Sequence, residues 1–418
     1  METDGSWPIV WKQARGVHVR DTEGKKYLDL TAAFGVAAAG HANLRVIQAG
    51  QRQMATLLHA MGDVHPHPLK SKLARELSRI TFERWVQSRP KSEIRNPKSG
   101  KTIFCNSGFE AVEAALKTAR LGTGRPGVIA FEGGYHGLGY GALNATHRQH
   151  FRGPFRDQLR EFADFVAFPT RDAQLGAIER AIHRILRRRK TGALLVEPIQ
   201  ARGGINIPTA KFLPLLRRLC DEHHALLIVD EIYTGFGRTG TWFACEQSGT
   251  TPDLICLGKA LTGGFPLSAC VGRADLMDSA WPTSTGEAIH TSTFLGHPVG
   301  CAMALAQIQE VRRLKLPERS ARLGVWLLAQ LKSLRAASVH LAARGSGLLA
   351  GLELRRPDGS PATAETLHVI QRMLCRGFIL LPEGEHSNVI AFTPPLTISE
   401  TQLRRAVRAL AEELRRLK

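Results

Sequence analysis

The chain of 418 residues is 43% hydrophobic, and its 56 lysines and arginines against 37 acidic residues give a net charge of +19. That length predicts a large core divided between two or three domains. The positive charge is scattered without interleaved aromatic side chains, so it does not predict a surface that stacks nucleic-acid bases, and no apolar run is long enough to predict a transmembrane helix.

The cysteines and the N-terminal residues indicate the cellular compartment in which the protein is expected. The chain has seven cysteines, an odd number, and no two of them form a C-x-x-C motif. This pattern favours buried thiols in a reducing compartment and gives no reason to expect a metal site. The polar, acidic start Met1-Glu2-Thr3-Asp4 does not suit a signal peptide. We therefore expect a cytoplasmic protein.

Hydrophobic periodicity divides the chain into three stretches. Residues 16–30 predict a β-hairpin, and residues 44–60 and 69–86 have helical spacing. Short apolar runs then alternate with helical patterns up to about residue 315; the runs are 102–105, 127–131, 165–168, 193–196, 225–229, 254–257 and 268–271. The C-terminal stretch mixes predicted helices at 318–335, 364–375 and 399–417 with predicted strands at 348–354, 378–381 and 388–392.

Strands that alternate with helices predict a mostly parallel sheet with helices on both faces. The predicted fold class is α/β, with a large domain at residues 51–317 and a smaller α+β domain made of residues 1–50 and 318–418. In such sheets, ligands bind at the carboxyl ends of the strands. The residues that follow the apolar runs are therefore the candidates for function.

Two strand ends carry groups that suit a phosphate and an aromatic ring. Ser107 and Gly108 open a predicted helix, where free N–H groups and the helix dipole favour an anion. Taken alone, this segment is better explained as a plain helix cap, since Ser107 and Glu110 have capping-box spacing. Tyr135 and His136 stand in a Gly-rich turn, where the aromatic ring either stacks on a flat cofactor or is simply buried in the loop.

Two other strand ends carry a carboxylate and an amine. Asp230 ends the run 225–229, and a buried aspartate there can hold a protonated ring nitrogen. The glycines within 235–240 fit a dinucleotide motif only formally, because the carboxylates precede them and no clear helix follows. Lys259 comes just after the run 254–257, so it is either a partly desolvated nucleophile or a lysine that extends to water.

Together the four strand ends satisfy the requirements of one cofactor. Pyridoxal 5'-phosphate needs an imine-forming lysine, an anion site, a ring-stacking group and a carboxylate at the pyridinium nitrogen. The carboxylate keeps the ring an electron sink, and the lysine shuttles a proton between the substrate Cα and the cofactor carbon. These residues predict an enzyme that moves or rearranges amino groups.

The sequence resembles the class III aminotransferases, which have the PLP-dependent transferase fold type I, over nearly its whole length. The specific motifs are Asp230-Glu-Ile-Tyr-Thr-Gly-Phe-Gly-Arg-Thr-Gly240 and Gly258-Lys259-Ala-Leu-Thr-Gly-Gly264. The resemblance implies that Lys259 forms the imine with the cofactor and that Asp230 pairs with the ring nitrogen. It also implies that Ile232 packs on one face of the ring and that Tyr135, beside His136, stacks on the other.

The resemblance assigns further residues around the cofactor. Glu197 is implied to lie near the ring and Phe34 to face the substrate. The family forms homodimers with shared active sites, so Thr293 is implied to reach the phosphate of the neighbouring subunit's cofactor. The residues implied to hold the phosphate within the subunit are Ser107, Gly108 and Phe109.

Two positions depart from the family pattern in a way that bears on the substrate. Members that use glutamate and 2-oxoglutarate place an arginine just before Phe-x-Pro-Pro and often a glutamate two residues after the Gln of Glu-Pro-Ile-Gln. Here those positions hold Ala391 and Arg202. Either Arg202 binds a substrate carboxylate by itself, or it is a solvated loop arginine and the substrate has no carboxylate there. A third departure is Tyr233, where many relatives have glutamine.

The leading hypothesis is a dimeric PLP-dependent aminotransferase that moves an amino group from a donor to an oxo acceptor by a ping-pong mechanism. Its partners are small molecules and a second copy of the chain, with neither nucleic acid nor membrane. An epimerase, racemase or aminomutase on the same scaffold is the alternative. A basic nucleic-acid-binding protein on a decayed enzyme scaffold is disfavoured by the intact Lys259 and Asp230. The donor and acceptor are not predicted.

Overall fold

The computed structural model describes residues 9–62, 64–87 and 99–417. The acidic start, Met1-Glu2-Thr3-Asp4, on which the expectation about a signal peptide rests, lies outside these residues. Three β-sheets organise the described chain, one of seven strands and two of four strands each. Among the described residues, no helix combines the length and apolar character needed to cross a membrane.

The N-terminal segment forms a small sheet and then a group of helices. The strands β1 (Trp11–Arg15), β2 (His18–Asp21) and β3 (Lys26–Asp29) are antiparallel, so the predicted hairpin is present as β2 and β3. Asp21 closes its turn by accepting hydrogen bonds from the backbone of Glu23 and Lys25. The helices that follow are α1 (Ala32–Gly35), α2 (Leu44–Thr56), α3 (Pro68–Ser78) and α4 (Arg84–Gln87), with a π-helical turn between the last two.

The seven-stranded sheet contains every apolar run predicted as a strand in the middle of the chain. Its strands are β4 (Gly100–Cys105), β5 (Gly127–Phe131), β6 (Ala163–Val166), β7 (Thr191–Val196), β8 (Leu226–Asp230), β9 (Leu254–Leu257) and β10 (Ser268–Arg273). Their order is β4-β10-β9-β8-β7-β5-β6. Only β10 runs antiparallel to its neighbours. The expectation of a mostly parallel sheet in an α/β fold is confirmed.

Both faces of this sheet are buried because alternate side chains of each strand enter different apolar cores. Ile129 and Phe131 belong to one core, whereas Val128 and Ala130 of the same strand belong to the other. The strands therefore read as continuous apolar runs in the sequence. The helices of this region are α5 (Gly108–Thr123), α6 (Tyr140–Ala145), α7 (Gln149–Arg152), α8 (Leu175–Arg188), α9 (Phe212–His223) and α10 (Ala274–Ala280).

The C-terminal part is an α+β arrangement. Its helices are α11 (Pro298–Arg313), α12 (Leu316–Ser333), α13 (Thr363–Cys375) and α14 (Glu400–Arg415). Its strands are β11 (His340–Ser346), β12 (Leu349–Arg355), β13 (Phe378–Ile379), β14 (Leu381–Glu383) and β15 (Val389–Phe392). The strand β13 pairs in parallel with β3, which joins the two ends of the chain in one sheet. The predicted domain boundaries at residues 50 and 317 stay a prediction.

A buried arginine fastens the turn after β8 to the C-terminal part. Arg238 is 1% exposed, and its Nη1 donates to the carbonyl oxygens of Leu348 and Pro394 at 3.1 and 2.6 Å. Since Pro394 follows β15, these two bonds hold the segment after the strand against the edge of the large sheet. They bring residues from opposite parts of the sequence to the same side of the molecule.

Candidate active site

A cavity of about 340 Å³ opens at the carboxyl ends of β5, β8 and β9. This is the edge of a parallel sheet at which ligands bind. Most of the predicted site residues line it: Gly108, Phe109, Tyr135, His136, Glu197, Arg202, Asp230, Ile232 and Lys259. Gly137, Leu138 and Tyr233 complete the wall. Phe34, Ser107 and Thr293 are not part of the wall.

One end of the cavity is formed by the start of α5. Glu110 closes the turn before the helix by accepting from the backbone N–H of Asn106 at 2.7 Å. The hydroxyl of Ser107 is buried without a hydrogen-bond partner, and the first N–H groups of a helix have none within it. A Cβ at Gly108 would come within 3.1 Å of Ile232, so glycine allows the two segments to approach closely. These groups could together receive an anion.

Asp230 is held in the cavity floor by two hydrogen bonds. Its Oδ2 lies 2.8 Å from His136 Nδ1, and its Oδ1 accepts from the backbone N–H of Ile232 at 3.1 Å. Because a carboxylate only accepts hydrogen bonds, the imidazole carries its proton on Nδ1. Asp230 is 4% exposed, so the two hydrogen bonds hold its carboxyl group in one orientation away from solvent. Such a group can pair with a positively charged ring nitrogen.

Glu197 lies beside this pair and is equally well bound. Its Oε1 accepts from the N–H of Tyr135 at 2.9 Å and its Oε2 from the N–H of Ala201 at 3.2 Å. Burial, together with the nearby charge of Asp230, raises the pKa of the Glu197 carboxyl to about 7, while His136 and the two backbone hydrogen bonds act in the opposite direction. Glu197 thereby ties two loops together at the rim of the cavity.

Lys259 follows β9 through Gly258 and enters the cavity. It has a φ of +26°, a left-handed conformation that is costly for a residue with a side chain. Its Nζ lies 4.7 Å from the centre of the Tyr233 ring. Burial lowers the pKa of the Lys259 amine below its ordinary value, against the opposing influence of Asp230 and Glu197. A larger fraction of the amine is therefore unprotonated and nucleophilic near neutral pH.

At the other end of the cavity, Arg202 in the wall approaches Glu383, which is not part of the wall, without a hydrogen bond. Arg202 places its guanidinium carbon 5.2 Å from the centre of the Tyr135 ring. Its Nε lies 4.0 Å from Oε2 of Glu383, and both atoms are buried without a partner. Burial raises the pKa of Glu383 to about 7, while Arg202, Lys259 and Arg148 act in the opposite direction.

Phe34 and Thr293 lie outside the cavity wall. Phe34 is 47% exposed on a turn in which four consecutive residues, 32 to 35, have a positive φ. The next residue, Gly35, is in close approach to the Tyr233 ring, so this turn borders the cavity. Thr293 is exposed, and its neighbour Ser292 contacts Asn106, which precedes α5.

Sequence reasoning missed Glu383 and gave Tyr233 no role. Tyr233 is buried against Lys259, and its hydroxyl lies 3.5 Å from Thr393 Oγ1. Because Tyr233 comes three residues after Asp230, its position in the sequence could have indicated that it lies in the cavity. Glu383 carried no such signal, because it is distant in sequence from every motif and its position depends on the pairing of β14 with β15.

Comparisons with known proteins agree with this geometry. The family model described as aminotransferase class-III matches residues 2–414. Acetylornithine aminotransferase of Methanosarcina mazei is 35% identical, over 99% of this chain and 93% of that protein. Putrescine aminotransferase of Pectobacterium atrosepticum is 36% identical, over 99% of this chain and 84% of that protein.

A solved structure has the same fold. The amine transaminase from an uncultivated Pseudomonas species, in its PLP-bound form, has a TM-score of 0.87 and 29% identity, covering 97% of this chain and 94% of that one. The predicted fold type I is thus confirmed. Because the family match extends over nearly every residue, the chain belongs to the class III aminotransferases.

Proposed function

We propose that the protein uses pyridoxal phosphate to move an amino group from a donor to an oxo acceptor in two successive half-reactions. The observation that carries this proposal is the buried amine of Lys259 in one cavity with the fixed carboxylate of Asp230. Class III aminotransferases are PLP-dependent. The related amine transaminase was crystallised with PLP in its internal-aldimine form.

The groups around the cavity fit this cofactor. The orphan hydroxyl of Ser107 and the start of α5 supply an anion site, which suits a phosphate. Ile232 and Tyr135 offer an apolar and an aromatic surface for the two faces of a flat ring, and both line the cavity. Asp230 would hold a protonated ring nitrogen, and Lys259 would attach the cofactor through its amine.

The chain's own residues would then move one proton. Bound pyridoxal phosphate supplies an electron sink for the charge that develops when the substrate Cα loses its proton. The Lys259 amine, with its lowered pKa, would take that proton from the substrate Cα and deliver it to the aldehyde carbon of the cofactor, on the other side of the substrate nitrogen. His136 and the Ile232 N–H keep Asp230 aligned, and Glu197 fixes the loop that carries Tyr135.

For the substrate, Arg202 would bind a carboxylate distant from the reacting nitrogen. Its terminal nitrogens make no hydrogen bond within the described part of the chain, and a guanidinium can hold a carboxylate by two parallel bonds. Phe34, on the turn beside Tyr233, would contact the substrate chain. Relatives named for acetylornithine and for putrescine indicate that donors with a carboxylate and donors without one both occur in the family.

The test is a spectroscopic titration of the cofactor-loaded protein with single amino compounds. Stoichiometric conversion to the pyridoxamine form, with release of the oxo product, is expected of an aminotransferase. Proton exchange at Cα without such conversion would instead support an epimerase, racemase or aminomutase. A protein that stays colourless with added pyridoxal phosphate would contradict the proposal altogether.

We also propose a cytoplasmic homodimer in which Thr293 reaches the neighbouring subunit's cofactor phosphate. Support comes from apolar side chains left exposed near the cavity, among them Phe34, Phe109, Leu138 and Phe294. Mixing Lys259→Ala with Thr293→Ala protein tests the shared site. If Thr293 acts across the interface, random pairing restores about a quarter of the sites to full function. If it acts within its own subunit, no site is restored.

A further inference from the structure

Two histidines and a glutamate meet where the end of α9 lies beside α8. His183 belongs to α8, and Glu222 and His223 are the last two residues of α9. The Nδ1 of His183 lies 2.9 Å from the Nε2 of His223, and a carboxylate oxygen of Glu222 lies within 4.8 Å of both residues' ring nitrogens. None of the three lines the cavity that holds Lys259. In the part of the chain that the structure describes, no other three side chains of histidine, cysteine, aspartate or glutamate converge as closely.

The two imidazole rings face each other through ring nitrogens, which allows two arrangements. In a hydrogen bond, one of the facing nitrogens carries the hydrogen and the other accepts it. In a metal site, both present lone pairs to one ion, and a tetrahedral Zn²⁺ with bonds of about 2.0 Å separates its ligand atoms by about 3.3 Å. The observed 2.9 Å would therefore have to open only slightly. The side chains of His183 and Glu222 are 30% and 42% exposed, so both can rotate to admit an ion.

A second carboxylate faces the other nitrogen of the His183 ring. The Nε2 of His183 lies 3.9 Å from Oε1 of Glu179, one turn earlier on α8. A histidine that binds a metal through one ring nitrogen generally donates the N–H of the other to a carboxylate, a carbonyl oxygen or water. If Nδ1 binds an ion, the ring hydrogen must reside on Nε2, where Glu179 can accept it. His183 and Glu179 therefore have the arrangement that suits a metal-binding imidazole.

Contacts beside the cluster fix the spacing between the two helices. Arg218 on α9 pairs with Glu179 through Nη2 at 2.6 Å and with Glu222 through Nη1 at 2.7 Å. Arg125 donates to the carbonyl oxygen of His223 at 2.8 Å, which holds the end of α9. None of these contacts uses the ring nitrogens of the two histidines. The rings are thus positioned in advance, which lowers the entropic cost of binding an ion.

The surrounding charges restrict the class of ion that can bind. Arg125 and Arg187 line one surface depression with His223, so the neighbourhood repels cations. Mg²⁺ and Ca²⁺ bind through several oxygen ligands, whereas Zn²⁺ binds imidazole nitrogen directly. A carboxylate has two oxygens, so Glu222 can offer one to the ion while its Oε1 stays with Arg218. The cluster therefore suits a transition-metal ion rather than a hard cation.

We propose that His183, His223 and Glu222 bind a divalent transition-metal ion, for which Zn²⁺ is the best fit, and that the ion links α8 to α9. Solvent would complete the tetrahedral coordination. The ligands come together only in the folded chain, so the ion would raise the stability of the fold without taking part in amino-group chemistry. This inference does not depend on the proposed function, because the three residues lie outside the cavity.

Calorimetric titration of the cofactor-loaded protein with ZnCl₂, after treatment with a chelator, tests the site. We expect one ion per chain at the tightest site, no comparable binding of MgCl₂, and a higher melting temperature with Zn²⁺. His183→Ala and His223→Ala should each raise the dissociation constant about a hundredfold, and Glu222→Gln about tenfold. His224→Asn is the matched control, because it removes an exposed neighbouring imidazole and asparagine tolerates the left-handed backbone there. It should change neither quantity.

Three results would overturn the inference. They are failure of the wild-type protein to bind Zn²⁺, an unchanged affinity in any of the three ligand variants, and equal affinity for Mg²⁺. Each variant is first unfolded thermally in metal-free buffer, which separates loss of the ion from loss of the fold. If His223→Ala is unstable there, His183→Gln carries the same test, because position 183 is partly exposed within α8 and glutamine is a good helix former.

Discussion

The two ends of the cavity differ in how their charged groups are held. At the cofactor end, both oxygens of Asp230 and both of Glu197 accept hydrogen bonds at 2.8 to 3.2 Å. At the substrate end, the Nε of Arg202 and the Oε2 of Glu383 face each other across 4.0 Å without a bond. A site for one unchanging cofactor can be preorganised, whereas a site that two substrates share must adapt.

This contrast predicts that changes at the cofactor end affect every substrate, whereas changes at the substrate end affect only some. The largest effect is expected from Lys259→Ala. Turnover should fall about a thousandfold or more with every donor, because the variant loses both the attachment of the cofactor and the proton carrier. The measurements are steady-state turnover and the visible absorbance of the purified protein. Lys332→Ala, on the exposed side of α12, is the control. A yellow band that survives Lys259→Ala would refute the assignment.

Asp230→Asn should lower turnover about a hundredfold, again with every substrate. Asparagine keeps the acceptor for the Ile232 N–H but removes the charge that holds a protonated ring nitrogen. The absorbance maximum of the bound cofactor should shift, since the ring loses its ionic partner. Asp278→Asn, at an exposed ion pair with Lys101, should change neither quantity. A loss limited to one substrate class would contradict the contrast between the two ends.

The substrate end should also respond to pH in a selective way. Burial raises the pKa of Glu383 to about 7, so its carboxyl gains a charge as the pH rises through that value. The charged carboxyl then competes for the Arg202 guanidinium, so affinity for a donor with a distal carboxylate should fall across this range by up to about tenfold. The cations that face Glu383 are Arg202, Arg148 and Lys259, and a donor of equal length without the distal carboxylate controls for their contribution and for the cofactor. The selective decrease should vanish in Glu383→Gln; if it persists there, another group is responsible.

The smallest effect is expected from Tyr135→Phe. The aromatic face that would stack on the cofactor and lies under Arg202 is retained, and only the hydroxyl is lost. The dissociation constant of pyridoxal phosphate should change less than about threefold. Tyr135→Ala removes the ring and should weaken cofactor binding about tenfold. Equal losses in the two variants would show that the hydroxyl, rather than the ring, is the important group.

The large sheet and its ligand edge could be predicted because their sequence signals are local. Each of the seven strands is a short apolar run, and the residues that follow the strands of common direction, all except β10, lie at the same edge of the sheet. Asp230 and Lys259 could be predicted in this way because β8 and β9 are neighbours in that sheet.

The substrate end could not be predicted, because its geometry depends on long-range pairing. Glu383 reaches Arg202 through the antiparallel register of β14 and β15, and the hydrogen bond between the Arg202 carbonyl oxygen and Gly384 joins the two loops. Neither contact produces a hydrophobic periodicity from which it could be predicted. The left-handed turn at residues 32–35, which contains Phe34, is also unexpected, because only its last residue is a glycine.

The pairing of β3 with β13 limits how this chain can be recombined with its relatives. Leu30 donates its N–H to the carbonyl oxygen of Ile379 and accepts from the N–H of Thr393. The N-terminal segment is therefore bonded through Leu30 to β13 and to the residue that follows β15 in the C-terminal part. Phe34 lies a few residues beyond this junction, and Glu383 follows β13 closely in sequence. A chimaera that imports the substrate preference of another aminotransferase must therefore take both terminal segments from the same parent, while the stretch from β4 to Lys259 can be kept.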